Sequence, residues 1–136
     1  MSIGRTNLAK SRSAIGKMAK TKGKVGEREV VKMLESYGLE ARRGQQFKGG
    51  ADSPDVDCPA LNDEFNIEVK RTERLTLYPF MAQCIEDCKG TQKPVIFHRQ
   101  NNKEWVSILR SRDFIEIVKR MLDAEARLEM LEGCHE

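Results

Sequence analysis

The sequence predicts a single α/β (α+β) domain with a central mixed β-sheet flanked by helices, in the order αβββαββα. Its length of 136 residues is the usual size of one domain with one hydrophobic core. Apolar residues recur at helical spacing in three stretches, and short apolar or alternating stretches bounded by turn residues lie between them. Elements in this order are typical of helices layered on a sheet, and the chain contains no internal repeat.

Basic charge is concentrated at the N-terminal end. Between Met1 and Gly26 there are seven basic residues and no acidic one. They are Arg5, Lys10, Arg12, Lys17, Lys20, Lys22 and Lys24. Residues 1–22 also carry too few apolar side chains to offset the entropy lost when a chain becomes ordered. We therefore expect residues 1–22 to form a basic flexible arm that contacts nucleic acid, and residues 23–136 to form the folded domain.

The first helix is predicted over residues 24–37, where apolar residues recur at helical spacing before Gly38. These residues are Val30, Val31, Leu34 and Tyr37. Glu27 interrupts this apolar face, whereas Glu29 points about 200° away from Glu27, toward the polar side. Burial of a carboxylate is costly unless a cation or strong donors receive it, so Glu27 either needs a partner or reaches solvent at the rim.

Three strands are predicted to follow the first helix. A short strand near residues 39–43 leads into a glycine-rich, basic loop over residues 44–54. Residues 55–58 form a brief strand, and residues 65–70 alternate apolar and polar side chains as a half-buried strand does. The turn residues between the last two stretches predict a hairpin.

A second helix is predicted from Leu77 or Tyr78 to a point just before Gly90. Its buried stripe consists of Met81, Cys84, Ile85 and Cys88. Two cysteines on a core stripe favour packing over zinc binding. The four cysteines of the chain, Cys58, Cys84, Cys88 and Cys134, form no CxxC or Cys/His pattern. We expect reduced thiols.

The chain is predicted to end in two strands and a helix. Residues 94–99 and 104–110 form strands around an Asn101-Asn102 turn, and a C-terminal helix covers residues 111–132. Nowhere does the sequence offer the roughly 20 apolar residues of a membrane span or the core of a signal peptide. We expect a soluble cytoplasmic protein without a membrane partner.

Glu68 and Lys70 lie on one face of the predicted strand over residues 65–70, and Val69 lies on the other. Such a pair can serve a metal ion and a water molecule, although Glu-Xaa-Lys alone is also common as an exposed ion pair. Asp55 lies upstream, where a loop leads into a strand, and it can reach the same edge of the sheet. His98 ends an apolar strand and is read as structural.

The candidate residues occur in an order that resembles the pattern of a known protein family. They are Gly23 and Glu27, then Pro54-Asp55, then Glu68-Val69-Lys70. In this order they resemble the PD-(D/E)XK nucleases, and within that superfamily the archaeal-type Holliday-junction resolvases and related phage proteins. The resemblance covers residues 23–110 and implies a single restriction-endonuclease-like domain.

The resemblance implies a magnesium-dependent endonuclease with catalytic residues Glu27, Asp55, Glu68 and Lys70. Asp55 and Glu68 would bind Mg²⁺, with Mn²⁺ as a substitute, since hard cations take carboxylate oxygens. The main-chain carbonyl of Val69 would add a ligand, and Glu27 would support a second metal or its water shell. Lys70 would position the nucleophile or neutralise charge on the phosphate.

Some assignments stay open at this point. Asp52 and Asp57 flank Asp55, and Asp57 shares its face by alternation, so either is an alternative or additional ligand; the preceding proline and the spacing to Glu68 favour Asp55. The resemblance also implies a polar residue in the second helix. Gln83 is the candidate, with a solvated helix residue as the alternative.

The implied partner is DNA, in particular a branched or four-way junction. Basic residues and glycines near the site would contact phosphates, and residues 45–47 would touch sugars or bases. The predicted DNA-binding residues are Lys22, Lys24, Arg42, Arg43, Lys48, Gly49, Gly50 and Arg99, with Gly44 beside them. Restriction-like or repair cleavage of ordinary duplex is an alternative, as is an inactive DNA-binding module of the same fold.

A two-fold homodimer is expected, because resolving a junction takes two nicks in symmetry-related strands. The C-terminal helix carries apolar residues at alternating steps of four and three, a seam suited to a facing helix. The seam consists of Ile117, Met121, Ala124, Leu128 and Leu131. Packing of this helix on its own domain is the alternative.

Overall fold

The computed structural model describes residues 3–45 and 54–133, with side chains from residue 14 onward. The order αβββαββα is confirmed. The elements are α1 (Ile3–Ser36), β1 (Arg42–Arg43), β2 (Val56–Asp57), β3 (Phe65–Arg71), α2 (Leu77–Asp87), β4 (Lys93–Arg99), β5 (Val106–Ile108) and α3 (Ser111–Gly133). Within these residues no helix is long and apolar enough to cross a membrane.

A mixed sheet forms the centre of the domain, in the strand order β3-β4-β5. Strand β3 pairs with β4 in parallel, from Phe65 opposite Lys93 to Arg71 opposite Arg99. Strand β5 pairs with β4 antiparallel, as the predicted Asn101-Asn102 turn requires. Asn102 adopts φ 58°, a conformation that Asn tolerates better than most residues.

The sheet lies between two helices. On one face Val30 and Leu34 of α1 pack with Ile67 and Val69 of β3, together with Val56 and Cys58. On the other face Cys84 of α2 is fully buried. The layered α+β architecture and the restriction-endonuclease-like domain implied by the resemblance are therefore confirmed.

The predicted hairpin between residues 55–58 and 65–70 is wrong. Strand β2 pairs with β1, with Arg42 opposite Asp57, and forms no ladder with β3. Helical-type turns intervene, in which Leu61 and Asn62 both donate their N–H groups to the Cys58 carbonyl. These turns direct the chain away from β2, and β3 then pairs along its whole length with the apolar strand β4.

Two helix predictions also need correction. The first helix begins at Ile3 and not near Lys24, because residues 3–23 contain no proline and many good helix formers. The flexible arm over residues 1–22 stays a prediction. In α2, Cys84 is buried as expected, but Ile85 is 39% exposed. Burial raises the pKa of the Cys84 thiol to about 12, and Cys58, Cys84 and Cys88 are free thiols.

Glu29 does not lie on the solvated side of α1, contrary to the prediction. One of its oxygens accepts a hydrogen bond from the Trp105 indole at 2.9 Å, and the other pairs with Arg99 at 3.1 Å. The buried face of α1 is centred on Val30, and Glu29 lies only about 100° from that centre. The carboxylate therefore ties α1 to β4 and to the segment before β5.

The C-terminal helix α3 extends beyond the layers. Every residue from Lys119 to Gly133 is exposed. Its ionic contacts with the domain lie in its N-terminal half, where Arg110 pairs with Asp113, Lys93 with Glu116 and Arg120 with Glu64.

Candidate active site

Asp55 is held against β3 by backbone and side-chain bonds. Its N–H donates to the Ile67 carbonyl at 3.2 Å, and its Oδ2 accepts from the Val69 N–H at 2.9 Å. Its own carbonyl accepts from the Gly44 N–H at 2.9 Å. The carboxylate is thereby fixed beside the strand that carries Glu68.

Gly44 allows this arrangement. A Cβ at Gly44 would collide with the backbone carbonyl of Pro54, which is a group that cannot move independently of Asp55. The predicted contact of Gly44 with DNA is not tested, but its closeness to Pro54 gives the glycine a structural role.

Glu68 is buried next to Asp55. Its residue is 8% exposed, and its carboxyl hydrogen bonds both to Asp55 and to the Asn66 amide, the latter at 3.4 Å. Burial, followed by the charge of Asp55, raises the pKa of Glu68 to about 9, and the charge of Asp87 adds to this shift. The pKa of Glu68 is therefore set mainly by burial, by the carboxylates of Asp55 and Asp87, and by the Asn66 amide. No cation is among these leading influences.

This donor set fits a divalent cation. Two adjacent carboxyl groups in a buried setting repel each other when ionised, and a hard cation between them removes that repulsion. The N–H and C=O of one strand residue point to the same side, so the Val69 carbonyl lies on the edge that faces Asp55. Asp55, Glu68 and the Val69 carbonyl are the residues that would hold the ion.

Lys70 and Val69 occupy opposite faces of β3, as alternation predicts. Val69 belongs to the core formed with α1, whereas the Lys70 ammonium lies 4.9 Å from the centroid of the Phe80 ring in α2. An aromatic face attracts the ammonium and restrains it on the face of the sheet that carries Glu68.

Glu27 has the partner that its place on the apolar face requires. Its Oε2 accepts a hydrogen bond from Arg43 Nε at 2.8 Å, and its side chain is 16% exposed. Over the described residues, no group of three or more Asp, Glu, His or Cys side chains could hold a metal ion. The structure therefore joins Asp55 with Glu68 and places Glu27 with β1.

Asp57 and Gln83 are engaged elsewhere. Asp57 accepts hydrogen bonds from Asn62 and Arg42, which lower its pKa in that order. Gln83 is exposed and donates to Asp87 at 3.4 Å. The sequence reasoning missed Asp87 itself, although it lies about 60° from Cys84 on α2 and so borders the buried stripe.

The predicted DNA-binding residues have varied surroundings. Lys24 is exposed, and Lys22 is half-buried. Arg42 is 69% exposed and Arg43 36% exposed, although each pairs with a carboxylate. Arg99 is only 18% exposed, and it lies between Glu29 and the Trp105 ring. Lys48, Gly49 and Gly50 lie outside the described residues, as do Gln46, Phe47 and Asp52.

His98 has the structural position predicted for it. Its Nε2 lies 2.9 Å from the Thr72 carbonyl. This contact joins the end of β4 to the loop that follows β3.

A mixed sheet between helices, with an aspartate and a glutamate converging at one strand and a lysine two residues beyond, is the arrangement that the resemblance to PD-(D/E)XK nucleases implies. A family model described as "Phage putative PDDEXK endonuclease" matches residues 18–130. The chain belongs to this family. No curated protein and no solved structure matches it.

Gly44→Ala should displace Pro54 and Asp55. We expect a loss of Mn²⁺ affinity on the order of 10-fold or more, measured by calorimetric titration, and a stability cost of about 1–3 kcal/mol from overpacking. Gly23→Ala is the control, since a Cβ there meets nothing within 4 Å. Equal Mn²⁺ affinities for the two variants would contradict the role of Gly44.

The raised pKa of Glu68 makes the stability of the metal-free protein depend on pH. The folded chain keeps a proton up to a pKa of about 9, whereas the unfolded chain loses it near 4.5, so stability should fall as pH rises between these values. Urea unfolding at about pH 5 and about pH 8 should show this decline in the wild type and much less of it in Glu68→Gln. Parallel pH profiles would contradict the assignment.

Proposed function

We propose that the protein is a magnesium-dependent DNA endonuclease that selects branched DNA, as Holliday-junction resolvases do. The observation that carries the proposal is the adjacent pair of carboxyl groups, Asp55 and Glu68, at the edge of β3, with the pKa of Glu68 raised to about 9. A buried glutamic acid beside a half-buried aspartate is disfavoured when both are ionised, and a divalent metal held between them would relieve that repulsion. Family membership supports nuclease activity and DNA as substrate.

In the proposed reaction, each residue has a distinct task. Asp55, Glu68 and the Val69 carbonyl would hold Mg²⁺, or Mn²⁺ in its place. When bound there, such an ion would supply Lewis-acid chemistry, namely polarisation of the scissile phosphate and a lower pKa for a water molecule. Lys70, restrained over Phe80, positions the nucleophile or neutralises charge on the phosphate. Glu27, which pairs with Arg43, would support a second metal or its water shell.

A basic stripe on α1 supports DNA binding by this helix. Lys17, Lys20, Lys24 and Arg28 fall within a sector of about 80° and extend over about 16 Å. All four are exposed. Lys22 lies about 140° from Lys17 and so off the stripe. A straight row of cations on one helix face fits the phosphates of a DNA backbone.

The choice of branched DNA rests on the resemblance at Gly23 and Glu27, and a homodimer supplies the two nicks that a junction needs. Cleavage of ordinary duplex uses the same residues and is the second candidate. An inactive DNA-binding module is disfavoured, because the chain carries the complete set of Asp55, Glu68 and Lys70. Action on DNA also places the protein in the cytoplasm of the host cell.

Asp55→Asn and Glu68→Gln test the proposal. With labelled four-way junction and linear duplex, each variant should lose Mg²⁺-dependent cleavage by more than about 100-fold, while DNA binding is kept or tightened because repulsion toward phosphate is relieved. Chelator should abolish the wild-type activity.

The matched control is Asp57→Asn, which removes a nearby carboxylate that pairs with Arg42 and Asn62. It should keep most of the activity. Near wild-type cleavage by Asp55→Asn or Glu68→Gln would refute the metal site, and equal cutting of junction and duplex would support the second candidate.

The α1 stripe predicts the salt dependence of binding. Replacing Lys17, Lys20 and Lys24 together by Ala should flatten the slope of log Kobs against log salt by about 2 to 3, at about 0.9 per lost phosphate contact. Lys22→Ala should change the slope less than Lys24→Ala does. An unchanged slope in the triple variant would exclude the stripe as a phosphate-binding surface.

A further inference from the structure

The outer part of α3 lacks a partner within the described chain. Met121, Leu128 and Leu131 are 51%, 58% and 62% exposed, and Phe114 is 57% exposed. These residues and half-buried Ile117 lie on one side of a 23-residue helix. A continuous apolar row of this length on a projecting helix is an interaction surface.

The row has the heptad spacing of a coiled coil. Phe114, Met121 and Leu128 occupy successive a positions. Ile117, Ala124 and Leu131 occupy the d positions between them. The alternation of three and four residues keeps the row on one side of α3. Ile117 also borders an apolar pocket of its own domain with Phe65 and Leu109, so the part of the row that is open to a second helix runs from Met121 to Leu131.

The charged residues beside the row indicate the identity and the orientation of that second helix. In the exposed part of α3, from residue 119 to 133, the g positions are Arg120 and Arg127, and the e positions are Glu125 and Glu132. In a parallel pair, each g residue faces the e residue of the next heptad in the other helix. Arg120 would then face Glu125 of the partner subunit, and Arg127 would face Glu132 of the partner subunit. An antiparallel pair would instead oppose Arg to Arg and Glu to Glu.

We propose that α3 pairs with α3 of a second copy of this chain as a parallel two-stranded coiled coil. The inference deepens the homodimer of the proposed function and is independent of the cleavage chemistry. The two-fold axis would run along the coil, and both nuclease domains would lie at its N-terminal end. Arg120 pairs with Glu64 of its own chain, but an exposed pair of this kind contributes little and exchanges readily.

Sedimentation equilibrium of the full chain should give twice the monomer mass of 15.5 kDa. Arg120→Glu/Arg127→Glu should weaken the dimer by more than about 10-fold, because every g-to-e contact becomes repulsive. Arg112→Glu/Lys119→Glu makes the same change in net charge on the outer f positions and should leave the dimer intact. A wild-type monomer, or equal weakening by both variants, overturns the proposal.

Charge restoration separates this mechanism from a folding defect. Adding Glu125→Arg/Glu132→Arg to the weakened variant reverses each pair and should restore the dimer. Failure of restoration overturns the g-to-e pairing. Circular dichroism of each variant establishes that the domain stays folded.

Cross-linking tests the orientation. In a Cys134→Ser background, Met121→Cys and Leu128→Cys should each form a disulfide dimer, since like a positions meet in a parallel pair. Ala126→Cys, at an outer f position, should not. An antiparallel pair can bring at most one of the two a positions into contact, so a bond at only one of them, or at neither, overturns the parallel arrangement.

Association and cleavage are measured separately. If the α3 proposal fails, the Mg²⁺-dependent activity of Asp55 and Glu68 is unaffected. If the proposed function fails, the sedimentation and cross-linking results still stand. A dissociated variant that keeps single nicking and loses paired nicking would support both.

Discussion

The hydrogen bond from the Val69 N–H to the Asp55 carboxylate is the contact on which the site depends. Strands β2 and β3 share no ladder, so this bond and the Asp55–Ile67 backbone bond position the segment against β3. The bond also brings the Asp55 charge beside Glu68, whose pKa rises to about 9. The same contact that assembles the two acids therefore destabilises their ionised form, and a bound cation would recover that energy.

Helix α1 joins the site to the rest of the domain through both of its flanks. Glu27 binds Arg43 of β1 on one side, and Glu29 binds Arg99 of β4 on the other. Between them Gly26 lets the helix approach β3, where an added Cβ would lie 3.1 Å from the Arg71 Cβ. Since these contacts occupy the inner face of α1, Lys17, Lys20 and Lys24 are left exposed on its outer side, where a long polyanion could reach them.

The sequence predicted the features that follow from local periodicity and failed where tertiary contacts decide. Alternation placed Glu68 and Val69 on opposite faces of β3, and Asn101-Asn102 marked the β4–β5 turn. The position of Glu29 was wrong because its angle was measured from Glu27, whereas the buried face is centred on Val30. Strand β3 pairs with β4, which lies beyond α2 in the chain. No local sequence pattern reveals this pairing.

Non-local contacts also explain what the sequence could not assign at the site. The sequence suggested Gly44 as one glycine of a DNA-binding loop. In the structure, a Cβ added at Gly44 would collide with the Pro54 carbonyl. Asp87 acts on Glu68 across the gap between α2 and β3. The roles of Gly44 and Asp87 both depend on how separate segments of the chain pack together. The sequence shows only which residue types stand at these positions.

Glu64 connects α3 to the strand that carries the site. It precedes β3, and it pairs with both Arg120 of α3 and Lys93 of β4. Lys93 also pairs with Glu116, so β4, the start of β3 and the first turns of α3 share one charged cluster. If Arg120 turns to a partner subunit, Lys93 still holds Glu64, and its N–H still donates to the Glu64 carbonyl at 2.7 Å. The start of β3 therefore need not shift when copies associate, so pairing through α3 would set the distance between two metal sites without altering either one.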